Sequence, residues 1–303
     1  MNKVLLANLA AATAALSAGA AVVATRFVID ETDPVSLSFY RYTIAVLCFV
    51  PVLKVVWPTV RIPAVDVVKI AALGALFYGF FPWAFSASLQ YTTAARGAIG
   101  LATIPIQTLI VAALFGREKL SRAKLISVGL AFAGIAIVFG PEALGGGEDV
   151  LLGDALMLAG AFSAAVYSVF SRSMLGRYGP LTVTVMTMVF GVAALAPLAA
   201  AEGALGALPA FSREGWLALL FLGTIAGAIQ FALFTWALRW LPPTRTVLYL
   251  TLNPISAMLL GVVVLDEILT IALVAGLGFV LAGIAVANWP ARNAAAAGPA
   301  AGA

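Results

Sequence analysis

The chain has 303 residues, of which 63% are hydrophobic and 10% charged, with a mean hydropathy of +1.08; an ordinary soluble domain carries about 25% charged residues. That leaves too little polar surface to coat a water-soluble globule, and runs of around 20 apolar residues point to a bilayer instead. The net charge of +4 is scattered in short clusters rather than gathered on a basic face, which excludes nucleic acid as a partner, and a chain with no histidine and one cysteine, Cys48, has no His-based metal site, His relay or internal disulfide.

Ten apolar segments follow one another, at roughly 4–25, 36–56, 68–90, 93–115, 123–140, 151–171, 180–200, 214–237, 244–265 and 269–288. Every backbone N–H and C=O must be paired inside a bilayer, so only helices or a closed barrel can span it. Barrel strands alternate apolar and polar residues over about ten positions. These segments are continuously apolar for longer, so the expected fold is an all-α membrane protein with ten transmembrane helices. The first segment follows Met1-Asn2-Lys3 and resembles a secretory leader. Its length, and its place in the repeat described below, make it an uncleaved first helix. The longest connection, 142–150, is rich in Gly and acid and separates halves 1–141 and 151–289; the Ala/Gly/Pro-rich tail 290–303 reads as disordered.

Lys and Arg mark the cytoplasmic side of a membrane protein. With the N-terminus inside, 13 of the 17 basic residues fall on inner segments, and 11 of the 13 acidic residues fall outside. An even number of helices brings both termini to the cytoplasm. The lipid bilayer is an expected partner, and the resemblance described below implies a bacterial inner membrane as the location. Trp289 and the pair Tyr91/Trp240 sit at segment ends, where interfacial aromatic residues belong.

The halves repeat. At an offset of 149, residues 91–140 match 240–289 without a gap at twelve of fifty positions, against about four or five expected from such a composition. The matches include Arg96/Arg245, Pro105/Pro254, Glu118/Glu267 and the run Ala133-Gly134-Ile135-Ala136 against Ala282-Gly283-Ile284-Ala285. Five helices per half is an odd number, so the second half enters from the opposite face. Two inverted five-helix repeats are the expected architecture, and in secondary transporters of that kind the substrate site lies near the midplane between them.

Pro105 and Pro254 fall within the fourth and ninth segments, where each removes a backbone hydrogen bond and bends its helix. The bend serves either as a gate beside a substrate cavity or as a static kink that improves packing. Polar and aromatic residues buried in the apolar runs are the cavity candidates: Tyr40, Arg41, Tyr78, Trp83 and Gln107 in the first half, and Tyr167, Gln230, Tyr249 and Asn253 in the second. An unpaired amide or phenol is costly in hydrocarbon, so each faces either a wet cavity or a neighbouring helix. Arg41 either steers a carboxylate, snorkels to the surface, or pairs with the Asp30-Glu31-Thr32-Asp33 loop. Glu118 and Glu267 lie at helix ends, where a carboxylate caps a neighbouring helix N-terminus or pairs with a base. Gly223-x3-Gly227 and the pairs Gly129/Gly134 and Gly278/Gly283 allow close helix contact. No Asp or Glu is expected at mid-membrane depth, which favours uniport over carboxylate-based proton exchange.

The two halves, the proline in helices four and nine, and the end-of-helix pieces Glu118-Lys119-Leu120-Ser121 and Glu267-Ile268-Leu269-Thr270 resemble the EamA-type drug/metabolite transporter superfamily. The Gly pairs of helices five and ten and the position of Arg41 fit the same group, over about residues 4–289. Within it the chain looks most like YddG-type exporters of aromatic and other amino acids. The resemblance implies a monomer-sized carrier, with no cofactor and no metal, that moves amino acids or similar metabolites outward by alternating access. It also implies a central cavity among helices one to four and six to nine, with helices five and ten packed at the ends. The competing reading is efflux of multiple drugs or lipophilic cations, which a buried acid would favour. A membrane enzyme would need a catalytic set inside the bundle that these residues do not supply.

Overall fold

We analysed a computed structural model that describes residues 3–52, 62–117, 121–145, 147–206, 210–237, 240, 249 and 252–287. Glu118, Arg245, Trp289 and the tail 290–303 lie outside the described residues, as do the expectations attached to them. Among the described residues there are helices and turns and no strands.

Each expected segment contains one described helix. In chain order they are α1 (Lys3–Val28), α2 (Pro34–Phe49), α3 (Ala64–Tyr91), α4 (Ala94–Leu114), α5 (Arg122–Gly145), α6 (Glu148–Tyr178), α7 (Pro180–Ala201), α8 (Arg213–Phe234, continuing to Ala237), α9 (Leu252–Leu265) and α10 (Ile271–Ala287). Seven are long and apolar enough to cross a membrane; α2, α9 and α10 are shorter apolar helices. The chain is therefore a multi-pass helical membrane protein. Leu114, Val263 and Ile271, at 76%, 77% and 90% exposure, are part of an outer surface that water would not tolerate and lipid would.

Local chemistry sets the helix starts. Asp33 accepts a 2.8 Å bond from Ser36 N, and Pro34 opens α2 with its φ already helical. Thr93 and Ser212 cap α4 and α8 in the same way. Glu148 and Asp149 occupy the first turn of α6, where negative charge is favourable. This corrects the expected loop: α5 runs to Gly145 and α6 starts at Glu148, so most of 142–150 is helical.

The repeat is visible in the backbone. Helix α3 carries a π-helical turn at Ala75–Phe80 and α8 carries one at Thr224–Ile229. The two turns stand 149 residues apart at both ends, the same offset as the sequence match but outside the stretch where that match was found. The flanking pieces Ala64–Gly74 and Arg213–Gly223 obey it as well. A mid-helix π turn inserts a residue into the ladder and recurs at functional sites.

Helices α5 and α10 pack on one another. Their contact runs through Gly134 and Gly283: a Cβ on Gly134 would lie 2.7 Å from Gly276 O, and one on Gly283 would lie 2.8 Å from Ser127 O. Gly129 and Gly278 face open space, so only one glycine of each pair makes the expected contact. Gly223 and Gly227 pack against α2 at Arg41 O and Ala45, a contact within the chain. The buried core joins α1, α3, α4, α6 and α9 around Leu89, Ala98 and Met157, and a second cluster joins α4, α5, α9 and α10 around Ile99, Val138 and Val280.

Candidate functional site

Between the halves lies a cavity of about 490 Å³. It draws lining residues from nine of the ten helices, all except α5. Helix α10 was expected to pack only at the end of the bundle, yet it contributes Leu281 and Ile284. Six pairs of lining residues stand 149 apart: Ala18/Tyr167, Phe81/Gln230, Pro82/Phe231, Phe85/Phe234, Ile104/Asn253 and Pro105/Pro254. The two copies of the unit thus contribute equivalent positions to one space.

Pro105 does more than bend its helix. Helix α4 breaks at Thr103 into Ala94–Ala102 and Ile104–Leu114, and Pro105 sits in the first turn of the second piece. Thr103 Oγ1 donates to Gly100 O at 2.6 Å, and Gln107 Nε2 donates to Thr103 Oγ1 at 2.8 Å. The first piece packs on α9 and the second on α6. Pro254 is the third described residue of α9. Any bend on its N-terminal side lies outside the described residues.

Seven of the eleven sequence candidates line the cavity: Arg41, Tyr78, Pro105, Tyr167, Gln230, Asn253 and Pro254. The other four do not. Tyr40 donates to Ala204 O at 2.6 Å. Trp83 packs on Phe80 with ring centres 5.6 Å apart; it is two residues from both Phe81 and Phe85, ~200° around the helix from the lining face. Gln107 is two residues past Pro105 and is turned away for the same reason. Tyr249, three residues ahead of the described range of α9, donates to Asn8 Oδ1 of α1 at 2.9 Å.

The wall is a connected set of rings. Phe77 stacks on Tyr167 at 4.3 Å and 13°, Tyr42 meets Tyr78 edge-on at 5.2 Å, and Tyr78 meets Phe231 at 5.8 Å. Phe77, Phe81, Phe85, Phe231 and Phe234 escaped the sequence reading because phenylalanine in an apolar run looks like packing, and Tyr42 was missed although its phenol carried the same signal as Tyr40. The repeat offset holds a usable signal: Phe85 and Phe234 are identical mates, and Phe81 is the mate of the candidate Gln230.

Three polar atoms in this wall are buried and unpartnered among the described residues: Arg41 Nε, Gln230 Oε1 and Asn253 Oδ1. A buried polar atom without a partner costs about 1–3 kcal/mol. Arg41 neither snorkels, being 9% exposed, nor pairs with the loop before it. The loop acids are engaged elsewhere: Asp30 pairs with Arg26 at 2.9 Å, Asp33 caps α2, and Glu31 accepts from Ser212 N and Oγ at 2.7 Å each. Arg41 instead lies beside the Tyr42 ring, with its guanidinium carbon 5.3 Å from the ring centre. Among the described residues, no other lining residue carries a charge.

Toward one end of the bundle, side chains tie neighbouring helices together. Glu267 accepts from Ala94 N at 2.6 Å and Ala95 N at 3.0 Å, so the end of α9 caps the start of α4. Asp266, with φ of 53°, turns the chain back to make this reach; Asp tolerates that left-handed conformation better than most residues. Close by, Arg96 forms a two-point ion pair with Asp154 and donates to Val138 O at 2.8 Å. Asp154, one of the eleven acids assigned to the outer side, is buried to 2% exposure in the second turn of α6. At the opposite end, Asp66 binds Arg177 at 2.7 Å and Tyr178 at 2.6 Å. Each of these contacts joins residues that the charge bias assigns to the same face. Glu267→Gln keeps one acceptor oxygen and loses the charge. It is expected to lower stability by about 1–2 kcal/mol, read as an earlier thermal unfolding midpoint in detergent. An unshifted midpoint would show that the cap is not holding α4 to α9.

An all-helical membrane bundle with a solute-sized cavity between two repeated halves is the architecture of a membrane transporter. Comparison with known proteins gives the particular family. The chain matches the EamA-like transporter family twice, over residues 5–140 and again over 151–289, and belongs to that family. Its relatives include an uncharacterized transporter of Archaeoglobus fulgidus, 27% identical over 272 residues, covering 88% of this chain and 92% of the relative. Another is the uncharacterized transporter YcxC of Bacillus subtilis, 25% identical over 271 residues and covering 87% and 86%. A solved crystal structure aligns with a TM-score of 0.63 at 23% identity over 93% of this chain and 96% of that one, a likeness of fold.

Proposed function

We propose that this transporter exports amino acids, aromatic and other neutral ones, or similar small metabolites across a bacterial inner membrane, with both termini cytoplasmic. The observation that carries the reading is the cavity: ring-lined, built from paired positions of the two halves, and holding three buried polar atoms without partners. Rings bind aromatic and aliphatic side chains, and unpartnered donors and acceptors suit the polar end of a small metabolite. The two units act as inverted repeats, each opening the cavity to one side while the other closes it.

The ties at Glu267 and Arg96 support an inward-facing form. They hold α4 to α9 and to α6 at the face carrying the acidic connections. The cavity lining reaches Leu175 and Pro180, where α6 ends and α7 begins, on the face assigned to the cytoplasm. Efflux of lipophilic cations is the weaker reading, because the charged residue of the wall is a cation.

Purified protein in liposomes loaded with a panel of unlabelled amino acids is expected to take up labelled phenylalanine by exchange. Uptake that persists after the proton gradient is collapsed fits uniport, and strict dependence on the gradient overturns it. Flux of a lipophilic cation with none for any amino acid would overturn the amino-acid reading.

A further inference from the structure

We infer that the transported molecule is selected by its carboxylate, that Arg41 is the residue that selects it, and that the ammonium group of an amino acid is dispensable. The inference rests on the cavity proposed above as the transport site and extends its substrates to aryl monocarboxylates that lack an amine.

The argument is one of charge in a place with little water. Arg41 lies eight positions into α2, ~10 Å from the helix start, and is 9% exposed. It lines the cavity, its Nε has no partner, and it takes part in none of the ion pairs among the described residues. A guanidinium is a positively charged group with donors and no acceptor. Burying it without a counter-ion is costly. The Tyr42 ring beside it offsets a small part of that. A carboxylate from a bound ligand offsets far more, because its two oxygens match the planar fork of the guanidinium.

The rest of the wall has nothing that asks for a cation. Among the described residues, no Asp or Glu lines the cavity. The amide oxygens of Gln230 and Asn253 accept hydrogen bonds but carry no full charge. They accept from an ammonium, an indole N–H or a water alike. A zwitterion therefore gains its charged contact at the carboxylate and only neutral contacts at the amine. An amine without a carboxylate meets Arg41 as a like charge. The rings around Phe77, Tyr78 and Tyr167 accept the aryl group in every case.

Three probes share one ring and differ in charge: L-phenylalanine, 3-phenylpropionate and phenethylamine. Each is tested as a competitor of labelled uptake and as a binder that shifts the thermal midpoint of the purified transporter. The expected order is phenylpropionate equal to or better than phenylalanine, with phenethylamine without effect. In Arg41→Gln both carboxylates are expected to weaken by about tenfold to a hundredfold, while phenethylamine gains. Arg41→Lys restores part of the affinity, because it keeps the charge and loses the fork. The competition in the unaltered protein needs no variant, so a variant that fails to fold leaves the test intact. Phenethylamine competing as well as phenylpropionate overturns the inference while the amino-acid reading stands. Binding of phenylpropionate without phenylalanine supports the inference and overturns the amino-acid reading. Binding of none of the three overturns both.

Discussion

Asp154→Asn is expected to cost the folded protein about 3–5 kcal/mol, the range found when one partner of a buried ion pair is removed. The side chain of Asp154 is 3% exposed and that of Arg96 is 10% exposed, so the arginine cannot recover its loss from water. Asparagine keeps one oxygen for a guanidinium nitrogen but brings an amide group against a second donor. Arg96 would retain Val138 O and the Phe139 ring, which are neutral contacts. The measurement is the unfolding midpoint in detergent, together with the yield of monodisperse protein. Replacing both partners, as Arg96→Met with Asp154→Leu, is expected to recover most of the loss, because no unpaired charge remains in the interior. A single variant that melts with the unaltered protein would mean that water reaches this pair.

Gly19→Ala is expected to cut the initial rate of transport at least tenfold while the protein is still made. Gly19 faces α9 where that helix presents Asn253 and Pro254 to the cavity. A Cβ there would overlap the Asn253 carbonyl oxygen and Ser256 Oγ, and would lie 2.9 Å from the Ala257 amide nitrogen. A hydroxyl can rotate away; a helix backbone cannot. The two helices must separate or tilt, at about 1–3 kcal/mol for overpacking, and the displaced wall is the one holding the unpartnered Asn253 Oδ1. Adding Ser256→Ala is expected to restore only part of the rate, because the backbone overlap remains. Gly129→Ala and Gly278→Ala are the controls. Nothing lies within 4 Å of either position, and each is expected to leave transport unchanged and gain up to about 1 kcal/mol from reduced chain freedom. Unaltered transport in Gly19→Ala would show that the α1–α9 contact loosens freely.

Much of the architecture was legible because the bilayer restricts the choices. A run such as 180–200 has few physical options, and it is α7 within a residue at either end. The repeat offset, read between 91–140 and 240–289, reappeared in the π turns of α3 and α8, where sequence identity had not pointed to it. The site was legible in part. Arg41, Gln230 and Asn253 stood out because a polar group in an apolar run must go somewhere. Tyr40 and Tyr249 stood out for the same reason and went to Ala204 O and Asn8 instead. Both outcomes satisfy the same physical demand, so the demand alone does not choose between them.

The sequence by itself determined that this is a multi-pass helical membrane protein made of two copies of one unit, because hydropathy, charge bias and repetition are properties of the chain in order. Only the tertiary structure decided which polar groups were left without partners, because a hydrogen bond across helices depends on how each helix is rotated and where it is broken. Rotation turned Trp83 and Gln107 away from the cavity and turned Phe81 and Phe85 into it. The break at Thr103 and the left-handed turn at Asp266 then joined the start of α4 to the end of α9. Arg41 Nε, buried and without a partner among the described residues, is one of the groups so decided.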